Sequence, residues 1–133
     1  MVTKATLNVK GLDEYIEKIQ QAGLDIDAAA QRALMKGGAI LETEMEALVP
    51  FDKGDLKAHV NIDGPYIDGN YNFIEVGVVN ADAEIAIIGN VQEYGSPSKN
   101  IPAQPYIRPA IDGKRAVVVK AFRDSLKAEG LAD

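Results

Sequence analysis

The sequence predicts an α+β fold: a small antiparallel sheet of about three to four strands packed against a long helix and a C-terminal helix, with a proline-rich loop before the last helix. Three observations predict it. From Asp25 to Val49 the apolar residues recur at helical period. Three stretches, residues 2–10, 56–63 and 71–79, instead carry the period-2 alternation of half-buried strands. Four of the six prolines (Pro97, Pro102, Pro105 and Pro109) crowd between Glu93 and Ala110, where each fixes its own φ and biases the preceding residue toward extended backbone.

Thr6 to Val9 alternates polar and apolar, and extends to a first strand from Val2 to Lys10, which Gly11 ends. Asp13 is placed to cap a helix to about Ala22, with Tyr15, Ile16 and Ile19 as its apolar members, and Gly23 stops it. Asp25 or Asp27 opens the long helix at its positive end. Its stripe is Ile26, Ala30, Ala33, Leu34, Gly37, Ile40, Leu41, Met45 and Leu48. The adjacent Gly37 and Gly38 cost about 2 kcal/mol of helix propensity relative to alanine, so either something approaches closely there or the helix kinks.

Pro50 ends that helix and residues 52–55 form a turn, so Pro50, Gly54, Asp55 and Leu56 make a turn motif. Leu56 to Asp63 is expected as a strand, followed by a longish hairpin connection broken at Gly64-Pro65 and Asp68-Gly69. The next strand, Tyr71 to Val79, sets Ile74, Val76 and Val78 on one face. Residues 83–93 fit either period. A short helix capped by Asp82 is the preferred reading. Arg108 to about Ala128 is the last helix, with Pro109 in its first turn and Ile111, Val118, Phe122 and Leu126 as its inner edge.

Composition narrows function. The 133 residues suit a single domain over 1–133, and 47% apolar content supports a core. With no cysteine there is no disulfide, thiolate ligand or thiol nucleophile. No signal-peptide h-region and no membrane-length apolar run is visible, so the chain is expected to fold in a cytoplasm. A net charge of −6 and the lack of a basic run argue against a dedicated nucleic-acid surface. His59, the only histidine, falls in the expected strand and reads as structural. No nucleophile elbow, Walker loop or metal-ligand spacing is present, and no cofactor is expected. Glu42, Glu44 and Glu46 form an acidic surface near the end of the long helix. A carboxylate hydrolase is the one enzyme reading they allow, and it is rejected in favour of no enzyme.

Four segments, in order, resemble the small tail-completion or head–tail joining (neck) proteins of long-tailed bacteriophages, related to the tenth gene product of a lambda-like phage. They are the strand leading into Lys10-Gly11-Leu12-Asp13-Glu14; Ala47-Leu48-Val49-Pro50 followed by Lys53-Gly54-Asp55-Leu56-Lys57; Gln92-Glu93-Tyr94-Gly95; and Ile101 to Ala110, similar to a "PARPFLRPA" pattern. Lys53, Asp55, Gln104 and Tyr106 depart mildly from that pattern, and Gln104 stands where a basic residue is frequent.

The resemblance implies a structural protein at the head–tail junction that assembles with itself, as a ring of around six copies, around the DNA passage. DNA would pass nearby without specific binding, no membrane would be involved, and other neck and tail proteins would be neighbours. The chain would sit first in the host cytoplasm and then in the virion. The alternative is a morphogenesis factor that is not retained at the neck. Glu93, Tyr94, Gly95, Pro105, Tyr106, Arg108 and Pro109 are the expected partner-contact group, with Tyr106 as aromatic anchor and Arg108 as a forked donor to a carboxylate such as Glu93. The competing reading is that Tyr94, Tyr106 and Arg108 fasten the loop to the chain's own core.

Overall fold

A computed structural model describes residues 4–8, 26–50, 54–69 and 71–130. Strand β1 is Lys4–Asn8 and helix α1 is Ile26–Leu48. A short helix α2, Gly54–Ala58, precedes strands β2, Val60–Asp68, and β3, Tyr71–Val78. Helices α3, Ala83–Tyr94, and α4, Ile107–Ala128, complete the order. The sheet is antiparallel with order β1-β3-β2, so the expected α+β class holds, with three strands among the described residues. The expected helix over 13–22 and the Gly11-Leu12-Asp13-Glu14 segment lie outside them.

Helix α1 is the centre of the fold, with the sheet and α4 packed on it from different sides. Ala29, Ala30, Ala33, Leu34, Leu41 and Met45 are buried along it, and Ile74, Val76 and Val78 meet it from β3. Gly38 explains the paired glycines. A β-carbon there would run into Ile74 Cδ1 and sit 3.4 Å from Ile62 Cδ1. The helix runs unbroken through this pair and approaches the sheet as closely as a missing side chain permits. Glu44 lies six residues on, about 120° round the helix, and faces α4, its carboxylate 3.9 Å from Lys114 Nζ. Near the start of α1, buried Asn72 donates to Asp27 Oδ1 at 2.9 Å and accepts from Gln31 Nε2 at 3.2 Å, fixing the register of helix on sheet.

Two expectations are corrected. Leu56 to Asp63 is not one strand: Gly54 to Ala58 is a helical turn with Leu56 buried, His59 is a turn residue, and pairing begins at Val60. Asp55 at the first turn and Leu56 against the core favour the helix locally, and the His59 ring Nδ1 lies 2.7 Å from the Asp55 carbonyl oxygen, closing it. Nor do Gly64 and Pro65 break the hairpin. They form an irregularity between Asp63 and Tyr66, beyond which β2 resumes pairing with Phe73, Asn72 and Tyr71. Such a bulge keeps a strand going while accommodating a proline without a ladder donor. Residues 83–94 form the expected helix, and the Asp82 side chain accepts from Ile85 N at 2.9 Å.

Candidate functional site: the Glu93 clamp

Helix α4 begins without a capping side chain of its own. Its N-cap residue is Tyr106, which makes no side-chain cap bond, and proline occupies its third position. The first amides of a helix lack intrahelical acceptors, and here a residue of the preceding helix supplies one. Glu93 Oε2 accepts from the amides of Tyr106 at 2.7 Å and Ile107 at 2.9 Å. Its Oε1 accepts from the Arg108 amide at 3.0 Å and from Arg108 Nε at 3.0 Å. Arg108 Nη2 also donates to the Glu93 carbonyl at 2.8 Å. One carboxylate thus caps the helix and orients the arginine.

The electrostatics agree with the geometry. Glu93 is 0% exposed, and an unpaired buried carboxylate would cost several kcal/mol. Burial pushes its carboxyl up, but the Ile107, Arg108 and Tyr106 amides and the Arg108 guanidinium outweigh that, leaving it below its ordinary value. The helix dipole favours an anion at this end for the same reason. Arg108 remains half-exposed and lies over the Tyr94 ring, 5.0 Å from its centroid, a cation–π arrangement.

The loop between α3 and α4 is fastened at several further points. Gly95 adopts φ +75°, and a β-carbon there would fall 2.8 Å from both Ala103 N and Ile101 O; only glycine fits. Ser96 and Ile101 pair through both amides at 2.8 and 3.0 Å, around a single 3-10 turn at Pro97–Lys99. Buried Gln92 Nε2 donates to the Gln104 carbonyl at 2.9 Å, and the Gln104 amide donates back to Gln92 O at 2.9 Å.

Tyr106 is 0% exposed, among the largest fully buried side chains. Its hydroxyl donates to the Gly89 carbonyl at 3.3 Å, and burial pushes its ionisation far up. A partner cannot reach that ring in this conformation, so its role here is to hold the loop to the core. Of the expected contact group, the structure gathers Glu93, Tyr94, Tyr106 and Arg108 into one cluster. It buries Glu93 and Tyr106, leaves Tyr94 and Arg108 at the surface, and leaves Pro105 and Pro109 half-buried. The sequence pairs Glu93 with Arg108 but misses the three amides. The available signal was a helix start with no local capping residue, thirteen residues after a glutamate. Of the Pro50, Gly54, Asp55 and Leu56 turn motif, buried Leu56 adjoins this cluster: its Cδ1 would lie 3.5 Å from a β-carbon on Gly89, where the Tyr106 hydroxyl is bound.

The three glutamates of α1 do not act as a unit. Glu44 turns to Lys114 beside a shallow groove of about 340 Å³ lined by Ala39, Ile40 and Thr43. Glu42 instead accepts from the Ile62 amide at the β2 edge, with Glu46 beside it. Among the described residues no cluster of three or more His, Asp or Glu side chains could hold a metal ion, and no helix is long and apolar enough to cross a membrane.

Among the described residues, a small three-stranded sheet lies on one long helix, with a clamped loop leading to a second. The model of one family, described as "Bacteriophage HK97-gp10, putative tail-component", matches residues 10–95, which is most of the chain, and the chain belongs to this family of phage tail components. The match ends at Gly95, just past Glu93 and Tyr94. Neither a curated protein nor a solved structure matches the chain.

Proposed function

We propose that this tail component is a non-catalytic structural protein of the head–tail junction, retained in the virion after assembly in the host cytoplasm, and that copies of it surround the DNA passage. Family membership supports the virion and the tail. The observation that carries the finer reading is the Glu93 clamp. It converts a proline-rich loop into a stiff surface feature presenting Tyr94, Pro105, Arg108 and Pro109, backed from beneath by Tyr106. A surface held rigid before contact loses little entropy on docking, which suits a junction between preassembled heads and tails. This loop face is the one offered to neighbouring neck and tail proteins. The net charge of −6 leaves DNA phosphates little to grip and lets the genome slide past.

A phage deleted for the chain should accumulate filled heads and separate tails, and complementation with wild type should join them. Joined, infectious particles without the chain would overturn the junction reading. Mass spectrometry of purified particles should find the chain; its absence would assign it to transient morphogenesis.

A further inference from the structure

Charge is distributed unevenly along the chain, and the helix lines part of it up on one face. Helix α4 has six basic and two acidic residues, a net of +4, whereas the rest of the chain, with eight basic and eighteen acidic residues, carries −10. Four exposed side chains of α4, Arg115, Val119, Arg123 and Lys127, are spaced four apart and form one ridge along the helix. Val119 is 51% exposed on it, and Arg115 meets Asp112 only at 3.7 Å in a solvated pair worth little. From Arg115 to Lys127 the ridge is about 18 Å long.

The complementary surface lies along β2. Among the described residues this is an edge strand, and it carries Asp63, Asp68 and the exposed Tyr66 and Ile67, at 44% and 52%. Glu42 sits on the Ile62 amide of the same edge, and burial and then the Glu46 carboxylate push its carboxyl up, against the pull of that amide. Asp63 to Asp68 faces the four steps from Glu75 to Tyr71 on β3 and so spans about 14 Å, and Glu42 and Glu46 extend the acidic surface beyond it toward the length of the ridge. Since α4 and the sheet pack on α1 from different sides, their outer faces point in different directions. One molecule cannot bring them together; two can.

We infer that the α4 ridge of one copy docks on the β2 edge of the next, with Arg115, Arg123 and Lys127 against Glu42, Glu46 and Asp68, and Val119 against Ile67, which pairs with Asn72 on the α1 side of the sheet. The contact joins two different surfaces, so it repeats from copy to copy until it closes or extends. It also covers the basic ridge and leaves an acidic assembly. The inference deepens the proposed self-assembly and rests on it only for the setting in which copies meet.

The test uses the full chain in two charge-reversed forms, Arg115→Glu with Arg123→Glu and Glu46→Lys with Asp68→Lys, followed by native mass spectrometry over a concentration series. All four side chains lie at or near the surface, and circular dichroism should report unchanged folds. Wild type should associate; each variant alone should associate on the order of tenfold or more weakly. An equimolar mixture of the two should recover association, because alternating copies then match at every contact. Variants that associate as wild type does, a mixture that fails to recover, or a wild type that stays monomeric at every concentration would overturn the inference. So would duplex DNA binding by wild type that is lost in Arg115→Glu/Arg123→Glu while association is unchanged, which would assign the ridge to nucleic acid. Absence of the chain from purified particles would instead count against the tail reading and leave the contact standing.

Discussion

The proline loop and the β2–β3 hairpin both protrude between core elements, yet they are built in opposite ways. The loop carries the residues that look made for a partner, and the structure turns two of them inward: Tyr106 is in the core and Glu93 beneath the first turn of α4, while Tyr94 and Arg108 stay at the surface. The hairpin buries its base on α1 but looks like a mere connection at its tip, where Tyr66, packed against Phe73 at 5.6 Å, and Ile67 are left exposed. An aromatic near prolines is therefore no guide to which surface is free. What decides is whether the chain beneath it offers a cavity and hydrogen-bond partners, as Gly89 and the α4 amides do here.

The largest way to break the comparison is Tyr106→Ala. Removing a fully buried ring should cost about 3–5 kcal/mol, read as a fall in the denaturant midpoint, whereas an interface ring would leave stability unchanged. Glu93→Gln should follow at about 2–4 kcal/mol, since it removes the charge behind four hydrogen bonds. The carboxyl is held below its ordinary value of 4.5 in the native state. The clamp therefore stabilises fully above the unfolded value and loses that contribution as pH falls through the native one. Stability of wild type should drop on acidification below about pH 4.5 more than that of Glu93→Gln, which has nothing to titrate there.

Gly38→Ala acts under the hairpin's sheet and should cost about 1–3 kcal/mol by overpacking, reduced by about 1 kcal/mol of gained helix propensity. Smallest in stability is Ile67→Ser, expected within about 0.5 kcal/mol. Its effect should appear in association alone.

These contrasts mark what the sequence could and could not reveal. Helix α1, the inward face of β3 and the Asp82 cap were legible because period and capping are local properties of the chain. Gly37-Gly38 announced either a close approach or a kink, without naming Ile74 as what approaches. The start of β2 was not legible, because Leu56 suits a buried helical turn as well as a strand. The clamp was half legible: Glu93 and Arg108 suggest a pair, but the amides of residues 106–108 have no side-chain signature. The α4 ridge was invisible as a run, since Arg115, Val119, Arg123 and Lys127 are each separated by three residues and line up only once the helix forms.

The most direct measurement is hydrogen exchange on the full chain, compared between dilute monomer and concentrated assembly. The amides of Tyr106, Ile107 and Arg108 should be protected in both, and assembly should add protection along β2 and the hairpin. Exposed amides at residues 106–108 in the monomer, or new protection confined to residues 97–105, would contradict the account and return the proline loop to the role of self-contact.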